Sequence, residues 1–182
     1  MESKSNFTIS KIKESDYAEV VQLVNSAYRG PSSRVGWTTE ADFLDGQRTD
    51  VTTLNKELQK KDKVFLCLRA QNQSEIIGSV FLEGFKDDRG NGCYLGMLTI
   101  KPTLQNSGLG KWLMTEAESY AKNLGSTRMS LGVLHLRSEL MSWYERRGYQ
   151  KTGELHDFPY GREEFGLPKM PGLHFVMFEK AI

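Results

Sequence analysis

Apolar residues recur along this chain with two periods, and the change from one to the other marks out its elements. After a short polar lead, Phe7 to Ile12 has the composition of a first strand. Asp16, with Glu19 three residues later, has the spacing of a capping box at a helix start. Val20, Val21, Val24, Ala27 and Tyr28 then follow helical spacing. "RGPSSRVG" interrupts that pattern. Thr38 or Thr39 is positioned to cap a second short helix through Phe43 and Leu44, and Val51, Leu54 and Leu58 mark a further helical turn or two.

The middle of the chain changes to strand character. "VFLCLRA" (64–70) and "IIGSVFLEG" (76–84) are joined by the polar "QNQSE", and the turn-rich "KDDRGNG" leads into "CYLGMLTI" (93–100). These runs predict three consecutive antiparallel strands joined as hairpins. The helical period returns with Leu109, Trp112, Leu113, Ala117, Tyr120, Ala121 and Leu124 on one face, and Gly125 fits the position just past the helix end. "RMSLGVL" (128–134) is a strand, and Leu136, Leu140, Met141 and Tyr144 carry a last helix stopped by Gly148. "YQKTGEL" and "HFVMFEKA" close the chain as strands around a loop from Phe158 to Gly172. The expected architecture is one mixed α/β (α+β) domain over residues 7–182, with a mixed central sheet and flanking helices. Its strand–helix–strand unit from Cys93 to Leu134 predicts a right-handed parallel pair with a ligand crevice at the first strand's carboxyl end.

Composition narrows the classes of function. Lys plus Arg number 24 against 23 for Asp plus Glu, a net charge of +1, without the basic excess of a nucleic-acid binder. No stretch has the roughly 20 apolar residues of a membrane span, and "MESKSNFTIS" lacks the apolar core of a secretory signal. A cytoplasmic location is therefore expected, with neither membrane nor nucleic acid as partner. Cys67 and Cys93 have no metal-ligand spacing; they read as reduced and buried, with one disulfide left open. No three-histidine or Cys/His cluster points to metal.

Gly108 and Gly110 stand where a polar loop turns into the long helix, and both disfavour helix. Such a placement admits close approach of a phosphate to backbone N–H groups at a helix N-terminus. Alone, it equally fits an ordinary helix-entry turn. It is not a Walker loop, because Gly110-Lys111 is followed by Trp112 rather than Ser or Thr. It is not a dinucleotide fingerprint either, because Leu113 holds the place of the third small residue.

The surrounding text is more specific. "LTIKPTLQNSGLGKWLM" resembles the acyl-CoA-binding motif of the GNAT acetyltransferase superfamily: apolar-x-apolar-x-Pro, then Gln or Arg, two residues, and Gly-x-Gly opening a helix. "LRSELMSWYERRGYQKTGE" is similar to the family's second hallmark, a helix ending Tyr-Glu-basic-x-Gly-aromatic before a strand. The order of elements fits that fold over nearly the whole chain. The resemblance implies acetyl-CoA as co-substrate and a parallel strand pair that splays. Its pyrophosphate would rest on the backbone of Gln105, Asn106, Ser107, Gly108, Leu109, Gly110 and Lys111. Pantetheine would meet the backbone of Leu98 and Ile100, with an N–H near Leu98 or Thr99 facing the thioester oxygen. It implies direct attack by an amine of a small molecule or peptide, with Tyr144 protonating the leaving thiolate; the same residue equally fits a core role.

The base is less determined. Glu83, near the end of a central strand, is the carboxylate candidate, and His135 or a relaying water would serve as well. By family position the acceptor is walled by "AYRGPSSRVGWTTEADF" and "HDFPYGREEFGLPKMPG", where Trp37, Phe158 and Tyr160 lie beside Arg29, Glu40, Asp157, Glu163 and Glu164. Arg137 stands where many members carry an Asn that holds pantetheine, so that contact is not expected here. Homodimers are common on this fold. A non-catalytic acyl-CoA sensor is the alternative within the fold; a nucleotide-binding or protein-interaction domain would make the second motif a coincidence.

Overall fold

The computed structural model describes residues 6–71 and 74–182, so the lead "MESKS" and part of the "QNQSE" connection lie outside the described residues. The elements are β1 (Phe7–Lys11), α1 (Tyr17–Tyr28), β2 (Leu44–Asp45), α2 (Val51–Leu58), β3 (Lys63–Ala70), β4 (Ile76–Asp87), β5 (Gly90–Ile100), α3 (Leu109–Asn123), β6 (Arg128–Leu134), α4 (Ser138–Glu145), β7 (Gln150–Asp157), β8 (Leu167–Pro168) and β9 (His174–Ala181). Seven strands form one mixed sheet in the order β1-β3-β4-β5-β6-β9-β7, and β2 pairs β8 in a separate two-stranded ribbon. No described helix is long and apolar enough to cross a membrane.

The near-continuous apolar run of β3 is explained by burial on both faces. Phe65 and Cys67 pack with Val20, Val24 and Leu54 of α1 and α2. Leu66 and Leu68 pack on the opposite face with Leu113, Met114 and Ala117 of α3. Cys67 and Cys93 are both buried and free. Alternation also accounts for α3, where residues three and four apart share its buried face; Leu124, expected on that face, is 69 % exposed because it lies just past the helix end.

Two devices in β5 shape the site. Against β4, Ser79 faces Thr99 but Phe81 faces Gly96, so β5 carries an extra residue. Met97 takes up this β-bulge at φ 47°, a left-handed conformation uncommon for a residue with a side chain. The bulge is closed by Thr99 Oγ1 donating to the Met97 carbonyl at 2.9 Å. On its other edge β5 pairs in parallel with β6 only from Gly92–Arg128 to Tyr94–Ser130, although the strands run on to Ile100 and Leu134. The expected splayed pair is therefore present, and the gap opens beside the bulge.

Local expectations failed where side chains had longer-range partners. Asp16 does not form a box with Glu19. Its carboxylate accepts from the Lys13 N–H at 2.8 Å and pairs with Arg69 at 2.8 Å, while Glu19 accepts from the Ile76 N–H at 2.6 Å. The expected helix through Phe43 and Leu44 is a turn followed by β2, because Leu44 pairs with Pro168 and packs with Leu134, Phe158 and Leu173. Pairing and packing with residues 134 to 173 overrode a short helical pattern.

Candidate active site

The splay opens into a cleft of about 540 Å³ whose lining comes from four places in the chain. Leu98 and Ile100 of β5 form one side. Gln105, Asn106, Gly108, Gly110 and Lys111 form the loop and first turn of α3. Glu139, Leu140, Trp143, Tyr144, Arg146 and Arg147 come from α4 and its end, and Tyr28, Trp37 and Thr38 complete the lining.

The loop end is built for an anion. Asn106 and Gly108 both have positive φ, 66° and 87°. Successive residues alternating in this way turn their N–H groups toward one side, as a nest does. Helix α3 follows with no side-chain cap at its N-terminus and no acidic residue in its first turn. Its leading N–H groups and positive dipole end are therefore left for a ligand. A Cβ on Gly110 would stand 3.6 Å from Ile100 Cγ1 and 3.8 Å from Trp143 Cζ2, so the bare backbone there is the narrow point between β5 and α4. Lys111, Arg146 and Arg147 bring three cations to the cleft. The Arg147 guanidinium lies 3.4 Å from the Trp143 ring centre and donates to the Trp143 carbonyl at 2.6 Å. Burial, then the neighbouring Arg146, pull its pKa below the ordinary arginine value, and its Nε is buried without a partner among the described residues. These features fit a ligand that carries several negative charges.

At the deep end Tyr144 is 6 % exposed, with its ring edge-on to Trp143 and Tyr149 at 5.0 and 5.6 Å. Burial, together with the nearby Tyr28 and Tyr94 phenols, pushes its hydroxyl well above the ordinary tyrosine pKa. The phenol is therefore held in its protonated form at neutral pH. Tyr28 donates to the Leu98 carbonyl at 2.8 Å, fixing the bulge from α1, and burial with the nearby Glu40 raises it to about 12.

The remaining expected residues are distributed differently. Thr99 is fully buried and Leu109 packs into the core. The Ser107 hydroxyl donates to the Leu104 carbonyl at 2.6 Å. Glu83 lies outside the cleft: its carboxylate pairs with Lys63 at 3.0 Å and lines a groove that it shares with Tyr94 and Ser130, the last pair before the splay. His135 stacks on His174 with ring centres 3.9 Å apart. Three residues of the expected acceptor wall are engaged in packing or pairing within the fold. Phe158 is core, and Arg29 is buried in an ion pair with Glu40 while donating to the Phe165 carbonyl at 3.4 Å. Missed from sequence were Trp143 and Arg147; with Glu139 they are spaced four apart, the spacing of one helical stripe, although Arg147 lies in the turn just past α4. Among the described residues no group of three His, Cys, Asp or Glu side chains is placed to hold a metal ion.

Comparison with known proteins bears on the fold and the family. The described fold is similar to a putative phosphinothricin N-acetyltransferase at TM-score 0.68 and 14 % identity, covering 96 % of this chain and 98 % of that one. It is similar to the ribosomal-protein-alanine N-acetyltransferase of Brucella melitensis at TM-score 0.69 and 14 % identity, over 96 % and 99 % of the two chains. A GNAT-family acetyltransferase of Streptococcus pneumoniae gives TM-score 0.63 at 21 % identity, over 97 % and 99 %. At these identities the likeness concerns the fold. No curated protein sequence matches the chain. The family model for the GNAT acetyltransferases matches residues 18–149, which include the bulge, the Gly-x-Gly loop and Tyr144. With most of the chain matched and its motifs assembled around one cleft, this protein belongs to the GNAT acetyltransferase family.

Proposed function

We propose that the protein transfers the acetyl group of acetyl-CoA directly to an amine of a small molecule or peptide. The observation that carries this reading is a single cleft with an uncapped, glycine-opened helix at one end and a buried, un-ionised phenol at the other, joined by the splayed strand.

Acetyl-CoA supplies an activated acyl group on a thiol leaving group. The backbone from Gln105 to Lys111 and the start of α3 hold its pyrophosphate. Arg146 and Arg147 add charge. Leu98 and Ile100 orient the pantetheine arm through backbone groups, and an N–H near Leu98 or Thr99, beside the bulge, serves the thioester oxygen. A preorganised donor of this kind contributes about 3 kcal/mol in the transition state. As the carbon–sulfur bond breaks, Tyr144 gives its proton to the departing sulfur, and the second proton lost by the acylated nitrogen returns through water to the phenol. On the other side of the splay Glu83 receives the ammonium proton through water, since its carboxylate lies at the groove where the gap begins.

Incubating the protein with acetyl-CoA and a panel of amines, with thiol release and product mass as readouts, tests this. The expected result is CoA thiol released in step with an N-acetylated amine. CoA binding with no amine-dependent thiol release would instead establish a non-catalytic acyl-CoA sensor.

A further inference from the structure

We propose that Arg137 and Gln105 are positioning residues that hold Trp37 across the cleft as a fixed strap, and that this strap keeps water from the thioester. The inference rests on acetyl-CoA occupying the cleft as proposed above.

The segment from Gly36 to Glu40 has no regular secondary structure, so its backbone groups need partners from elsewhere. Arg137, 3 % exposed, provides most of them. Its Nη2 donates to the Trp37 carbonyl at 2.8 Å, and its Nη1 to those of Thr38 and Thr39 at 3.1 and 2.9 Å. Its Nε is held by Glu139. From the opposite rim Gln105 accepts from the Trp37 N–H at 2.8 Å, and donates to Thr38 Oγ1 at 2.9 Å and to the Ile100 carbonyl at 3.1 Å. Trp37 is thus pinned by its N–H to the α3 side of the cleft and by its carbonyl to the α4 side. Its ring meets Trp143 at 6.1 Å, completing the crossing.

The approach is close. A Cβ on Gly36 would lie 2.5 Å from Gln105 Oε1 and 2.8 Å from its Cδ, and the three hydrogen bonds on that carboxamide fix it in place. Three consecutive carbonyls taken by one planar fork is a task for guanidinium rather than ammonium, which has no such geometry. Arg137 spends its Nη donors on the strap and does not line the cleft. A released strap would let water add to the thioester carbonyl. The carbon–sulfur bond would then break, acetate would form, and the thiolate would take up a proton.

The test is thiol release from acetyl-CoA with no amine present, alongside calorimetric CoA affinity, for wild type, Arg137→Ala, Arg137→Lys and Trp37→Ala. Arg137→Ala is expected to raise amine-independent thiol release by about tenfold with CoA affinity held within about threefold, because the loss is of water exclusion. Arg137→Lys should fall between, and Trp37→Ala, which leaves the polar frame intact, should leak like Arg137→Ala. Thiol release unchanged in both alanine variants would overturn the proposal, and so would a fall in CoA affinity matching any change in release. Wild type that binds no CoA would overturn the acetyltransferase reading itself.

Discussion

Replacing Tyr144 with phenylalanine should lower turnover by about a hundredfold while leaving acetyl-CoA affinity within about twofold, the size expected for one general acid. The substitution removes one oxygen from a ring already fixed edge-on between Trp143 and Tyr149, so packing is retained. The hydroxyl's raised pKa also sets a pH signature. Because the neutral form is the active acid and burial moves its ionisation above the ordinary value near 10, wild-type turnover should show no alkaline fall from this group below about pH 10. Steady-state rates with saturating acetyl-CoA, beside a calorimetric titration, separate the two effects. Equal turnover in the variant would remove Tyr144 from the chemistry and leave it a core residue.

The second large effect concerns affinity. Gly110→Val should weaken CoA binding by about a hundredfold, or about 3 kcal/mol. The first carbon of the new side chain fits, at 3.6 Å from Ile100 and 3.8 Å from Trp143. Its two methyls then project into the gap between β5 and α4 that the ligand backbone must use. Position 110 is inside α3, where valine costs little helix stability, so thermal unfolding without ligand should change only slightly. Titration of both proteins with CoA decides this. An unchanged dissociation constant would mean that the glycine serves the helix entry alone.

How much of this was legible in the chain depends on the range of the interactions. The sheet strands, α3 and α4 were readable because burial on one or both faces imposes a period that neighbouring residues display. The glycine turn into α3 and the place of Tyr144 on α4 were readable because their motifs are local. What was not readable was set by partners far away in sequence. Leu44 is a strand residue because of Pro168, and Asp16 turns from Glu19 to Arg69. Arg29 and Phe158 had the composition of a binding wall, yet one is neutralised by Glu40 and the other is buried. Arg137 illustrates the point most sharply. Its departure from the family pattern was visible, but its use was not, since the three carbonyls that it binds lie about a hundred residues earlier.

The most direct measurement is the thermal stability of the purified protein with CoA, acetyl-CoA, ATP or NAD added in turn. A ligand that binds the folded state alone, at about a hundred times its dissociation constant, stabilises by about 2.7 kcal/mol. Stabilisation by CoA and acetyl-CoA, with none from ATP or NAD, is the result predicted by a glycine-opened helix facing Tyr144 across one cleft. Equal stabilisation by the nucleotides, or none by either CoA compound, would contradict it.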